Sequence, residues 1–278
     1  MLIDTHAHLT WDSFEPDLQE VISRAKEAGI THVINIGADM ESSKKAAKLE
    51  CPGMNSPTET MKSSSCLTTI KYYSSIGLHP HESEKNIPVE ELEKIYQSHP
   101  EKVIAVGECG LDYHFAGIDF IPSSTSQDQL KKLQKKLFQE QISLAKKLNL
   151  PLIIHSRDSW EDIFLPELTG NAGVFHSFTG NTEQAKKVLD LGYYLGFTCI
   201  VTYPKNDHLR QIIKETPLDK ILTETDCPFL PPQTKRGQRC EPADVVEVVK
   251  VIAQMKNLSL EEVAQASFQN AQSLFHFN

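Results

Sequence analysis

Apolar positions along the chain follow two rhythms. Short β-branched or aromatic runs occur at Leu2–Thr5, His32–Gly37, Tyr72–Leu78, Val103–Glu108, Leu152–His155, Gly173–Ser177, Tyr193–Thr198 and Ile221–Asp226. They are near-continuous rather than alternating, as suits parallel strands buried on both faces. Stretches of helical period lie between them. The clearest is Gln127–Leu148, where Leu130, Leu133, Leu137, Phe138, Ile142 and Leu144 recur at three- and four-residue spacings. Pro151 ends that helix and leads into the next strand.

Eight strands, each followed by a helix, over 278 residues is the arithmetic of an α/β protein with a single-domain (β/α)8 TIM barrel, residues 1–278. The rival is an open doubly wound sheet; chain length and the evenness of the repeat favour the barrel. Cys51 to Cys66 carries two prolines, a glycine and many Ser and Thr residues, and reads as a long surface loop.

Composition narrows the class. Hydrophobic residues at 40% and charged residues at 23% fit neither a disordered nor a fibrous chain. No apolar run approaches the ~20 residues of a membrane span, and the opening Met1-Leu2-Ile3-Asp4-Thr5-His6 lacks the basic and apolar regions of a secretory signal. Six widely spaced cysteines without a C-x-x-C pair read as reduced thiols in a cytoplasmic protein. The net charge of −9 argues against a protein that wraps nucleic acid electrostatically. It leaves open an enzyme that handles phosphates in a small site. No obligate protein partner is evident.

The histidines carry the sharpest signal. Of eleven, His6, His8, His79, His81, His155 and His176 lie at or just beyond the carboxyl end of a predicted strand, the end where such barrels build active sites. His6 and His8, two apart in extended chain, point the same way and can address one cation. Glu108 ends the fourth strand and Asp226 the eighth. Four histidines and two carboxylates from five strands describe a hydrolytic site for Zn, Mn or Mg. Six ligands exceed the needs of one tetrahedral ion, so two divalent ions bridged by a carboxylate are the economical reading.

At this point the sequence resembles a known family. Leu2-Ile3-Asp4-Thr5-His6-Ala7-His8-Leu9, Gly77-Leu78-His79-Pro80-His81, Gly107-Glu108-Cys109-Gly110-Leu111-Asp112-Tyr113, Pro151-Leu152-Ile153-Ile154-His155-Ser156-Arg157-Asp158, Phe175-His176-Ser177-Phe178-Thr179-Gly180 and Leu222-Thr223-Glu224-Thr225-Asp226-Cys227-Pro228 are similar to the successive signatures of the TatD-type metal-dependent deoxyribonucleases. Those belong to the amidohydrolase-like TIM barrels. The match is in order from residue 1 to about 275, and Gln134, Phe138 and Gln141 fit its pattern as well. The resemblance implies one ion on His6, His8 and Asp226, a second on His155 and His176, and Glu108 as the bridge. It also implies 3′→5′ trimming of single-stranded DNA ends. Cys240 stands where relatives usually carry asparagine, and Ser177 where they often carry cysteine.

Each role has a plainer competitor. Asp226 would bind metal and accept the proton of the attacking water; its other reading is a helix cap before Cys227-Pro228. His79 and His81 would hydrogen-bond a phosphate, or simply be fixed by the turn at Pro80. Arg157 is suited to gripping phosphate oxygens bidentately, or else to pairing with Asp158 or Glu161. Lys235, Arg236 and Arg239 form a basic cluster placed to focus an anionic substrate, with Arg239 assigned to the scissile phosphate, or a solvated charge run. Asp112 and Tyr113 are placed to orient a ligand or stack on a base. Hydrolysis of a small amide, ester or lactone uses the same platform, and a non-catalytic metal-binding barrel would keep the fold.

Overall fold

In a computed structural model the described residues are 1–49, 70–115 and 126–277. The Cys51–Cys66 stretch lies outside them. The strands are β1 (Leu2–Ala7), β2 (Ile30–Asn35), β3 (Lys71–Ile76), β4 (Val103–Asp112), β5 (Leu152–Arg157), β6 (Gly173–Phe175), β7 (Tyr194–Phe197) and β8 (Ile221–Thr223). They form one eight-stranded parallel sheet in sequential order. The helices are α1 (Leu18–Glu27), α2 (Met40–Lys48), α3 (Glu90–Ser98), α4 (Gln127–Leu148), α5 (Thr182–Asp190), α6 (Asp207–Glu215), α7 (Val245–Lys256) and α8 (Leu260–Phe275). No helix among the described residues is long and apolar enough to cross a membrane.

The barrel follows the expected repeat with one exception. Between β5 and β6 there is only a short 3₁₀ turn, Pro166–Leu168. The connection is short and Pro166 interrupts it, so no α-helix forms there. Two helices, α7 and α8, follow β8 instead. Strand β4 is longer than its apolar run suggested, reaching Asp112, because Cys109–Asp112 pairs residue for residue with Ile154–Arg157.

The seam between β1 and β8 is closed mostly by side chains. The hydroxyl of Thr5 donates to the Thr223 carbonyl at 3.2 Å, and the Thr223 hydroxyl donates to the Ile3 carbonyl at 3.1 Å. Asp4 accepts from the Thr225 amide at 3.0 Å and from its hydroxyl at 2.6 Å. Beyond the strands, the Asp226 amide donates to the His6 carbonyl and the His8 amide to the Cys227 carbonyl, both at 2.8 Å. Ile3, Ile34, Ala105, Ile153, Val174 and Leu222, from six strands, pack into one cluster with Phe268 and Phe275 of α8.

Helix α4 is the most regular element. Ser126 caps it through a capping box with Gln129, and Asn149 ends it in the left-handed conformation at φ 53°. Its buried face carries two glutamines. Gln134 accepts from the Asp112 amide and donates to the Asp112 carbonyl, each at 2.9 Å. Gln141 does the same with Leu78, at 2.8 Å on both sides. The helix thereby fixes the end of β4 and the segment that carries His79. Replacing Gln141 with Leu strands a buried amide and a buried carbonyl, each costing ~1–3 kcal/mol when unpaired. We expect Gln141→Leu to lose about 2–4 kcal/mol in urea unfolding; a loss within ±0.5 kcal/mol would show that the pairing is dispensable.

Candidate metal centre

The seam places His6, His8 and Asp226 together. Their ligand atoms form a compact triangle, with His6 Nε2 3.2 Å from His8 Nε2 and Asp226 Oδ1 3.5 and 3.4 Å from the two nitrogens. Asp226 takes a left-handed backbone at φ 59°, a conformation that aspartate adopts more readily than most residues. Strand β8 itself stops at Thr223, so this carboxylate is presented by a turn and not by the strand expected there.

Glu108 lies between this triangle and a second group. Its Oε2 is 3.6 Å from His6 Nε2 and 3.7 Å from His8 Nε2. Its Oε1 is 2.8 Å from both His155 Nδ1 and His176 Nε2, which are themselves 3.1 Å apart. The two oxygens of one carboxylate therefore face two different clusters. Gly77 allows this placement: a Cβ there would come within 2.4 Å of Gly107 and 2.6 Å of the Glu108 backbone nitrogen. The Glu108 amide is anchored on the Gly37 carbonyl at 2.8 Å.

His6, Glu108 and Asp226 are in protonation states that suit a cation, whereas His155 and His176 carry protons that one would displace. Burial, aided by His176, pushes His6 down to about 4, so its imidazole is neutral with a lone pair free. Burial opposes ionisation of Glu108, but His176, His155 and His6 outweigh it and hold the carboxyl well below its usual range. Asp226 is likewise held low against burial, by His8, His6 and His176. For His155, burial disfavours the proton, yet Asp112 and Glu108 together push it up to about 10. His176 is also raised, by Glu108 against burial. A divalent cation between these groups would take the place of the protons on His155 and His176. Among the described residues, three sets of donors lie close enough for one ion each: His6, His8 and Asp226; His6, Glu108 and His176; His79, Glu108 and His155. The sets share His6 and Glu108, so they describe one connected centre and not three independent ones. The residues fit the metal.

Ring orientation rests on packing. The outer nitrogens Nδ1 of His6, His8 and His176 have no hydrogen-bond partner among the described residues. His6 and His176 stack at 4.0 Å and 11°. His155 instead has a partner, Asp112 Oδ2, 3.2 Å from its Nε2.

The centre opens into a cavity of about 900 Å³, lined among others by His8, His79, His81, Glu108, Asp112, His155, Arg157, His176 and Asp226. His79 Nε2 is 3.8 Å from Glu108 Oε1, and His81 Nε2 is 3.4 Å from Asp112 Oδ2. Burial and the neighbouring His155 push His79 down to about 3, leaving it neutral. Arg157 is exposed at the rim, and no carboxylate among the described residues pairs with it; Asp158 bonds His114 instead, at 2.9 Å.

The expected basic cluster after β8 is absent from the cavity. Arg239 does not line it: its guanidinium bonds Asp17 at 2.8 and 2.7 Å, Glu241 at 3.0 Å and the Ser13 carbonyl, and lies 4.6 Å over Phe14. Lys235 is bound to Asp244 at 2.5 Å, and Arg236 covers Tyr203. These cations pin the loop to α1 and to its own flank. The expectation of Arg239 at a phosphate is thus corrected by its partners Asp17 and Ser13, more than two hundred residues earlier, and by the nearby Glu241.

Two buried carboxylates serve the frame. Asp4 holds Thr225 as described, and burial pushes it up to about 8. Glu224 accepts from the Ser177 amide at 2.9 Å and is raised by burial to about 7. Asp112, expected with Tyr113 to orient a ligand or stack on a base, lies 3.2 Å from His155 Nε2 and 3.4 Å from His81 Nε2. Its spacing of four from Glu108 on a strand places both on one face, which is the signal that points to it.

Comparison with known proteins agrees with this geometry. Residues 3–276 match the family described as TatD related DNase. The Bacillus subtilis protein YabD, an uncharacterized metal-dependent hydrolase, is 38% identical over the full length of both chains. The Salmonella typhimurium 3′-5′ ssDNA/RNA exonuclease TatD is 30% identical across 99% of this chain and 98% of its own. The crystal structure of YJJV, a TatD homolog from Escherichia coli, superposes with a TM-score of 0.82 at 29% identity, covering 100% of this chain and 98% of that one. With a family match spanning nearly every residue and a donor set of buried imidazoles and carboxylates at the barrel mouth, the chain belongs to the TatD family of metal-dependent hydrolases.

Proposed function

We propose that this hydrolase cleaves phosphodiester bonds at the ends of single-stranded DNA, removing nucleotides in the 3′→5′ direction with two divalent ions, Mg, Mn or Zn. The observation that carries the reading is Arg157: an exposed guanidinium without a carboxylate partner among the described residues, in the same cavity as Glu108, His155 and His176. A planar cation left free beside a hydrolytic centre is suited to phosphate oxygens. The name of the Salmonella relative supports the same substrate class.

In this reading His6, His8 and Asp226 would hold one ion, His155 and His176 the other, and Glu108 would serve both. Bound there, the ions acidify water and neutralise charge on the phosphoryl oxygens. Asp226, kept ionised by its histidine neighbours, takes the proton of the attacking water. Arg157 and the rim histidines His79 and His81 orient the phosphate. Water adds to phosphorus as the bond to the 3′ oxygen of the preceding nucleotide breaks, releasing a 5′-mononucleotide, and the leaving 3′ oxygen takes up a proton from solvent. A metal centre of this kind also attacks carbonyls, so the discriminating experiment assays single-stranded oligonucleotides beside a panel of amides, esters and lactones with added Mn or Mg. Cleavage of the oligonucleotide from its 3′ end is expected. Turnover confined to the carbonyl panel would overturn the proposal.

Two mutational outcomes follow from the geometry. Glu108→Gln removes the charge that both clusters face, and is expected to cut turnover by at least ~100-fold and lower bound metal measured by mass spectrometry, with unchanged circular dichroism. Undiminished turnover would remove Glu108 from the bridge. Arg157→Ala should raise KM for oligonucleotide about tenfold. Arg239→Ala should leave KM unaltered while costing about 1–2 kcal/mol of stability through its lost carboxylate and ring contacts. The reverse pattern would restore Arg239 to the substrate.

A further inference from the structure

Five large apolar side chains are exposed among the described residues: Met1, Trp11, Leu133, Phe229 and Leu260. Only Trp11 and Phe229 of these line the cavity of the metal centre. They are 37% and 44% exposed, and their rings meet nearly at right angles, 87° with centroids 5.1 Å apart. Apolar rings held open to water beside a polar centre carry an unmet stacking capacity.

Their placement is tied to the centre by the backbone. Trp11 lies three residues beyond His8, in a turn closed by its own amide on the His8 carbonyl at 3.2 Å. Phe229 lies three residues beyond Asp226, in a turn closed the same way at 3.0 Å. The two turns are joined by the bond from the His8 amide to the Cys227 carbonyl, 2.8 Å. The His8 ring is in turn 5.0 Å from Trp11 and 6.4 Å from Phe229. An aromatic corner is thus held in fixed relation to the His8 and Asp226 side of the centre, while Arg157 stands with the Glu108 and His155 side.

We propose that Trp11 and Phe229 form a stacking platform for a nucleobase flanking the scissile phosphate; this rests on the phosphodiesterase reading above. With the rings set at 87°, one meets the flat face of a base and the other flanks it, without reading its hydrogen-bonding edge, so the corner serves all four bases and contributes no sequence code. The phosphate end of the same nucleotide reaches the centre, and the base end rests on the rings. A partner with no π face gains nothing from this corner.

The test uses single-stranded oligonucleotides carrying one abasic residue, placed on either side of the scissile phosphate in turn. At one of the two positions, loss of the base should raise KM about tenfold with little change in kcat, the size set by stacking of one base. Trp11→Ala and Phe229→Ala should raise KM for the intact strand and erase the difference between intact and abasic strands. Trp11→Phe should keep that difference. In Trp160→Phe protein, where Trp11 is the remaining tryptophan of two, a strand with a phosphorothioate at the scissile bond should quench fluorescence, and its abasic counterpart should not. If abasic residues on both sides leave KM untouched while the strand is cleaved, the platform falls and the phosphodiesterase reading stands. If no oligonucleotide is cleaved, both fall. Equal losses of kcat on intact and abasic strands would make the rings a support for His8 and overturn the platform.

Discussion

The candidate centre depends on how the barrel closes. Strands β1 and β8 meet at the two ends of the sheet order, and their contact lacks the continuous ladder seen between the other neighbours. Threonines 5, 223 and 225 and the buried Asp4 supply the missing hydrogen bonds. Buried polar groups are costly unless paired, and here they pair across the seam and with close neighbours, Ser267 of α8 and the His6 and Cys227 amides. The arrangement therefore accepts one register. That register brings the histidines following β1 against the aspartate following β8.

Electrostatics then divides the labour among similar residues. Asp4, Glu224, Glu108 and Asp226 are acidic groups within a few residues of the strand ends. The first two are buried among hydroxyls and amides and drift toward the neutral acid. The other two are surrounded by imidazoles and stay ionised. Environment, not residue type, separates the carboxylates that hold the frame from those available to a cation. The same holds for the arginines. Arg239 is engaged by Asp17 and Glu241, whereas Arg157 has no carboxylate partner among the described residues and lines the cavity.

Much of this was legible in the chain. Strand runs and helical periods gave the barrel, because parallel strands buried on both faces leave continuous apolar signatures. Helix α4 was legible to its end residues, since its caps and Pro151 are local signals. The histidines gathered at strand ends foretold where side chains converge. What the sequence hid was pairing at a distance. Nothing near Arg239 reveals Asp17, more than two hundred residues earlier, and nothing near Gln141 reveals the Leu78 backbone it holds. The missing helix between β5 and β6 was obscured by an apolar stretch, Ile163-Phe164-Leu165, that packs without becoming helical. The exposed aromatics Trp11 and Phe229 carry no periodicity, so only the folded cavity sets them apart.

The spread of the donor groups along the chain also bears on how the molecule is made. His6 and His8 emerge early in synthesis and Asp226 late, with some 220 residues between them. Contacts between residues so far apart in sequence form late and slow folding more than they cost stability. On the ribosome, a nascent chain holding the two early imidazoles lacks its carboxylate until the eighth strand has been translated. The order of translation therefore completes the His6, His8 and Asp226 triangle only when the eighth strand has emerged.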